Sequence, residues 1–137
     1  GEDGRHREVT WSELRESAGR MAAALASHWP EVLRGAVSWF GTSFWAPVPV
    51  PYKPGHSWPA AFEPPDRKSL ARLRKDSRLS LVTGDLDFNR SESRAVYELM
   101  RGAGIDGAAY FQIPDADHYF GVDAEWLGKA LAHLDER

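Results

Sequence analysis

The chain has 137 residues, of which 42 % are hydrophobic and 27 % are charged, a composition ordinary for one globular domain with its own core. Its formal net charge of −3 gives no electrostatic reason to expect binding to nucleic acid or to an anionic membrane. The absence of cysteine excludes disulfides and thiolate metal ligands, and no apolar run is long enough to predict a membrane span. No cofactor is expected, and the cellular compartment stays open.

The first predicted element is a helix over residues 10–28. Its apolar residues recur at helical spacing on one face: Trp11, Leu14, Ala18, Met21, Leu25 and Trp29. Thr10 and Glu13 have the spacing of an N-terminal capping box, and Pro30 stops the helix.

A short strand and a proline-rich segment follow this helix. The apolar run GAVSWFG at 35–41 lies between glycines and predicts a buried strand. Residues 46–65 hold seven of the nine prolines, which excludes a helix or a central strand there. We predict a long surface loop that carries Tyr52, Trp58 and Phe62 and is either mobile or packed as a lid over a cleft.

The rest of the chain alternates helices and strands. The predicted order is helix 66–76, strand 79–84, helix 91–104, strand 108–114 and helix 123–136. Alternation of this kind implies parallel strands that are covered by helices. We therefore predict a single α/β domain or fragment over residues 1–137, with a truncated, mainly parallel sheet flanked by helices.

The turns that follow two of these strands carry acids and a histidine: Asp85, Asp87, Asp115, Asp117 and His118. In open parallel sheets, chemistry takes place beyond the carboxyl ends of the strands, where an acid and His118 can meet. Such an acid would set the tautomer of the imidazole and stabilise the imidazolium, as a serine hydrolase requires. The same acids are also ordinary turn formers and helix caps. Adjacent acids in one turn rarely converge, so no metal site is predicted.

From residue 28 onward, four segments in order resemble the C-terminal half of an α/β-hydrolase of the esterase, depolymerase and peptidase-like kind. They are HWPEVLRGAVSWFG (after the nucleophile helix), LVTGDLDFNR (the turn of the triad acid, G-x-x-D), FQIPDADHYF (the triad histidine) and WLGKALAHLD (the final helix). The resemblance implies that Asp87 is the triad acid and His118 the general base. Asp85 lies in the same turn but not at the family's position.

The nucleophile segment departs from the family's G-x-S-x-G motif, which places the serine on a tight strand-to-helix turn. The corresponding residues here are RESAG, 15–19, so Ser17 and Gly19 match, but Arg15 replaces the first glycine. Inside the predicted helix, Ser17 would instead face solvent or bond back to a carbonyl group. Ser12 lies too far from Pro30 to match the family. A nucleophile at Ser17, one at Ser12, and no working nucleophile in this chain all stay open.

The expected function is a serine hydrolase, leaning to a carboxylic-ester hydrolase, that acts on a small-molecule ester or similar acyl bond. In it Ser17 attacks, His118 moves the proton and Asp87 orients His118. The alternative is a non-catalytic α/β-hydrolase-like domain or fragment that binds a ligand or partner.

The family's early strands, which supply one oxyanion-hole amide, have no counterpart in this sequence. Three interpretations therefore stay open: the chain is a fragment of a longer hydrolase, a shortened relative of the family, or one half of a hydrolase that is completed by pairing with another chain. Because the strand at 35–40 would have an open edge, we expect a homo-oligomer joined near that strand or through the face of helix 10–28.

Overall fold

The computed structural model describes residue 26 and residues 33–41, 45–50, 53–60 and 63–136. These residues form a mixed α/β fold with a small parallel three-stranded sheet that is flanked by helices. The elements are β1 (Gly35–Trp39), β2 (Val48–Pro49), β3 (Ser57–Trp58), α1 (Arg67–Asp76), β4 (Arg78–Gly84), α2 (Arg90–Gly102), β5 (Ala108–Ile113) and α3 (Ala124–Asp135). The predicted helix at 10–28, apart from Ala26, lies outside the described residues.

From residue 66 onward the predicted helices and strands are confirmed, with ends that differ by one or two residues. The differences at two helix starts have a physical cause. Asp66 and Asp123 precede α1 and α3 as N-caps, because their side chains accept hydrogen bonds from backbone N–H groups of the first turn. Among the described helices, none is long and apolar enough to cross a membrane.

Strand β4 is the central strand of the sheet, parallel to β1 on one side and to β5 on the other. Six of its seven residues are buried, as expected for a parallel strand that is covered on both faces. Leu79 and Leu81 belong to one core, which α1 and α2 help to build, and Val82 belongs to a second core that α3 covers.

The proline-rich segment contains a short antiparallel ladder that the sequence did not predict. Val48 lies opposite Trp58 and Pro49 lies opposite Ser57, and the Val50 N–H donates a 3.0 Å hydrogen bond to the His56 carbonyl oxygen. Since bonded and non-bonded pairs alternate along such a ladder, Pro49 occupies a position that needs no N–H. The prediction of a surface loop throughout residues 46–65 was therefore wrong at β2 and β3. The exclusion of this segment from the central sheet is confirmed, because β2 and β3 form a separate sheet.

Candidate active site

The turns that follow β4 and β5 meet at the carboxyl edge of the sheet. The Asp85 N–H donates to the carbonyl oxygen of Ile113 at 3.0 Å, and the Leu86 N–H donates to that of Ala116 at 3.1 Å. The two turns are thus joined backbone to backbone, and the side chains that they carry are held at short range.

Gly84 allows this close approach. A Cβ atom at this position would lie 1.9 Å from the carbonyl oxygen of Ala116, a separation that no side chain tolerates. The glycine of the G-x-x-D pattern therefore has a steric role that can be read from the contact itself: it lets the turn after β4 lie against the turn after β5.

Asp87 and His118 form a buried hydrogen-bonded pair between these turns. His118 Nδ1 lies 3.1 Å from Asp87 Oδ1, the Asp87 side chain is fully buried, and that of His118 is 9 % exposed. The prediction that Asp87 rather than Asp85 faces the histidine is confirmed. The Oδ1 atom of Asp85 is buried and has no hydrogen-bond partner within the described part of the chain.

The carboxylate of Asp87 accepts hydrogen bonds from two further donors. The Thr83 hydroxyl donates to Oδ2 at 2.7 Å, and the Asn89 N–H donates to Oδ1 at 2.9 Å. Since an ionised carboxylate only accepts hydrogen bonds, we assign the proton to His118 Nδ1, which leaves Nε2 as the basic nitrogen. This is the tautomer that general-base catalysis needs. Thr83 could not be predicted from the sequence as part of this site, because a threonine near the end of a strand is an ordinary strand residue.

Aromatic rings surround the His118 imidazole. The ring of Phe88 lies 4.3 Å from it, centroid to centroid, at 36°. Tyr119 lies 5.5 Å away at 85°, and Phe40 lies 6.4 Å away at 75°. The imidazole is therefore packed by side chains from three turns, which restrict its orientation.

Phe40, which directly follows β1, is the third aromatic residue of this site, and its backbone is strained. Its φ angle is 54°, in the left-handed region that a bulky side chain rarely adopts. The residue is 1 % exposed, and its N–H donates a 2.7 Å hydrogen bond to the Val82 carbonyl oxygen. Strain of this kind is tolerated where surrounding packing enforces it, and it is common at functional sites.

The β2–β3 hairpin is attached to the first turn of α2, close to the same edge of the sheet. The indole N–H of Trp58 donates to Glu92 Oε1 at 3.4 Å, and the Ser91 hydroxyl donates to Glu92 Oε2 at 3.0 Å. Glu92 is fully buried, which sequence analysis missed because an acid in the first turn of a helix is usually solvated. The lid role of the proline-rich segment stays a prediction.

Asp115 and Asp117, the other acids of the turn after β5, are exposed. Asp117 Oδ1 accepts a 2.9 Å hydrogen bond from the Tyr119 N–H, as in an ordinary Asx turn, and Asp115 is exposed with φ of 56°. In the described ranges, no group of three or more histidine, aspartate or glutamate side chains could hold a metal ion. Ser12 and Ser17 lie outside the described residues, so the nucleophile stays a prediction.

A cavity of about 650 Å³ opens at the other end of the sheet, where Arg34, Ser77 and Gly107 flank the amino ends of the strands. Its lining contains both basic and acidic side chains, and Arg78 pairs with Glu136 at 3.6 Å. The cavity is remote from the Asp87–His118 pair, so it does not belong to this site.

Comparison of the chain with known protein families, with curated proteins and with solved structures finds no match. Function is therefore inferred from the site itself.

Proposed function

We propose that this chain is an α/β-hydrolase-type serine hydrolase that acts on an ester or similar acyl bond. The observation that supports this proposal is the buried pair formed by Asp87 and His118 at the carboxyl edge of a parallel sheet. A carboxylate that orients the Nδ1–H of a histidine, next to neighbouring strand ends, is the arrangement that acyl transfer by a serine requires.

In the proposed reaction, the hydroxyl oxygen of Ser17 attacks the carbonyl carbon of the substrate while His118 Nε2 takes the hydroxyl proton. The tetrahedral intermediate expels the alcohol, which receives that proton from His118, and an acyl-serine is left. Water then attacks the acyl-serine while His118 Nε2 takes its proton. The bond between the acyl carbon and Ser17 Oγ breaks, His118 returns the proton to Oγ, and the carboxylic acid is released. Asp87 holds the imidazole and stabilises the imidazolium that forms in both steps.

The experiment that tests this proposal is hydrolysis of a short-chain p-nitrophenyl ester. We expect His118→Ala and Ser17→Ala each to lower kcat by about 10²–10⁴-fold, since each removes a participant in proton transfer or attack. A fluorophosphonate probe should label the wild-type chain at Ser17 and leave Ser17→Ala unlabelled. His56→Ala is the matched control, because His56 is an exposed histidine in the hairpin.

The second candidate function is a non-catalytic α/β-hydrolase-like domain that binds a ligand or a partner. It is favoured by Arg15, which replaces the glycine that the nucleophile turn of the family needs. Absence of both turnover and fluorophosphonate labelling in a folded chain would exclude the hydrolase and leave the binding domain. Labelling at Ser12 instead of Ser17 would keep the hydrolase and correct the nucleophile.

A further inference from the structure

The large apolar side chains that are most exposed among the described residues all lie on the two turns of the candidate active site. They are Leu86, Phe88, Tyr119 and Val122, with exposures between 55 % and 73 %, and we call them the aromatic patch. Every other exposed large hydrophobic side chain of the described residues is 47 % exposed or less. The rings of Phe88 and Tyr119 are in contact, and contiguous apolar exposure marks a binding surface, whereas scattered apolar residues do not.

The aromatic patch is continuous with the general base. Phe88 contacts the His118 ring at 4.3 Å, and Tyr119 contacts it edge-on at 5.5 Å. The rings of Phe88 and Tyr119 are 6.5 Å apart and inclined by 60°. A molecule bound to these rings would therefore be next to the imidazole.

The size of the aromatic patch fits a small ligand better than a protein. Phe88 and Tyr119 present about 150–250 Å² each when fully exposed, and Leu86 and Val122 present less, so at these exposures the four side chains offer about 500 Å² at most. A standard protein interface buries about 800 Å² on each partner. The patch alone is thus too small for a stable protein dimer, but it is large enough to cover one face of a small aromatic molecule.

The charge around the patch restricts the ligand further. Apart from the buried Asp87, the two segments that carry the patch hold four carboxylates that are exposed or half-buried: Asp85, Asp115, Asp117 and Asp123. One basic side chain, Arg90, lies in the same stretch, and its guanidinium donates to the carbonyl oxygen of Asp85. This acidic rim disfavours a ligand with its own negative charge, because like charges repel at short range.

We propose that Phe88 and Tyr119 bind an aromatic ring of the substrate beside His118, and that the site selects neutral or cationic aryl compounds over anionic ones. The description of the ligand as a substrate rests on the proposed function; the binding of an aromatic ring does not. Phe88 and Tyr119 then determine the specificity for an aromatic ring. The carboxylates of Asp85, Asp115 and Asp117 determine that neutral or cationic ligands bind more tightly than anionic ones.

The test is an NMR titration of the full chain with four non-hydrolysable probes: benzyl alcohol, benzylamine, benzoate and cyclohexylmethanol. The ring resonances of His118, Phe88 and Tyr119 are observed. We expect saturable shifts with benzyl alcohol and benzylamine, and a Kd for benzoate that is higher by about fivefold or more, since a nearby carboxylate repels it. We expect cyclohexylmethanol to bind about 2–10-fold more weakly than benzyl alcohol, because it lacks the aromatic contact.

Variants distinguish binding at the aromatic patch from non-specific binding to apolar surface. Phe88→Leu and Tyr119→Leu keep an apolar side chain and should each raise the Kd of benzyl alcohol by about 2–10-fold. The control is Leu131→Ala, which removes an exposed apolar side chain on α3 and should leave this Kd unchanged. Thermal unfolding of each variant shows whether it is folded.

Three results would overturn the proposal: no saturable shift up to the solubility of benzyl alcohol, equal affinity for benzoate, or unchanged Kd in both leucine variants. Dissociation of an oligomer by Phe88→Leu, seen by light scattering, would show that a second copy covers the patch and would also overturn it. The titration needs no turnover. Ring binding without ester hydrolysis would therefore contradict the proposed function alone, and hydrolysis without ring binding would contradict this inference alone.

Discussion

The carbonyl oxygen of Ala116 occupies the space that a side chain on Gly84 would need, since a Cβ there would come within 1.9 Å of it. This contact sets the separation of the two turns, and with it the distance between Asp87 and His118. The site therefore depends on a backbone contact as much as on the residues that carry its chemistry.

Gly84→Ala should lower the free energy of unfolding by about 1–3 kcal/mol or more, because the backbone must shift to relieve the overlap. The same shift should break the hydrogen bond between Asp87 and His118. Urea denaturation measures the first effect, and the low-field NMR signal of the His118 Nδ1 proton reports the second. Gly128→Ala in α3 is the control, because among the described residues no atom beyond its own helical turn lies within 4 Å of its Cβ position; it should stabilise the chain by about 0.5–1 kcal/mol. A stable Gly84→Ala variant that keeps the Nδ1 signal would contradict this account.

Thr83→Val should cost about 1–3 kcal/mol of stability, because it leaves Asp87 Oδ2 buried without its 2.7 Å hydrogen bond. Thr83→Ser keeps the hydroxyl and should lose much less. In the proposed hydrolase Thr83 is a positioning residue that acts through Asp87. Its loss should therefore lower kcat more than it raises KM, and the serine variant should restore kcat. Equal stability of the valine and serine variants would show that the hydroxyl contributes nothing.

The N-cap of α1 should make a pH-dependent contribution to stability. The Ser69 N–H donates to the Asp66 side chain at 2.7 Å, and this hydrogen bond lowers the pKa of Asp66 below 3.8. Because the pKa is lower in the folded chain, the stabilisation is present above pH 3.8 and is lost as the pH falls through the folded value.

The thermal midpoint of Asp66→Ala should accordingly lie below that of the wild type at neutral pH, and the difference should narrow below pH 4. Asp66→Asn still accepts the hydrogen bond but does not titrate. Its thermal midpoint should therefore lie closer to that of the wild type, and the difference should depend much less on pH. A deficit for Asp66→Ala that is the same at pH 3 and pH 7 would rule out the charged cap as its cause.

Self-association is expected at the free side of β1. Within the described residues β1 pairs only with β4, so its other edge offers backbone donors and acceptors to a second chain. Light scattering over a dilution series at moderate salt should give a mass above that of one chain at high concentration. A single-chain mass at every concentration, with the β1 edge covered by the chain's own N-terminal residues, would exclude this expectation.

The parallel order of strands could be predicted from the sequence because buried strands that alternate with helices imply parallel pairing. The choice of Asp87 over Asp85 as the partner of His118 came from the resemblance of GDLD, 84–87, to the G-x-x-D motif of the α/β-hydrolase family. These signals require no knowledge of how distant segments pack. The relationship to α/β-hydrolases rests on the same short motifs and stays a proposal.

The contacts that the sequence did not predict are long-range or depend on register. Glu92 is buried because Trp58, 34 residues away, reaches its carboxylate, and no local pattern encodes that distance. Pro49 is accommodated in a ladder only because its neighbour Val50 makes the hydrogen bond to His56. The left-handed Phe40 is likewise unexpected, since residue-type preference would place glycine or asparagine there.

The separation of 31 positions along the chain between Asp87 and His118 also determines when the site can form during folding. The pair cannot close until α2 has crossed over and β5 has docked beside β4, and closing a loop of this length carries an entropic cost that later contacts must offset. An intermediate with its helices formed but β5 undocked would have normal helical content and no oriented histidine. The hydrogen-bonded imidazole therefore reports that β5 is docked. On warming, the NMR signal of its Nδ1 proton should disappear when the β4–β5 pairing is lost, rather than when the helices melt.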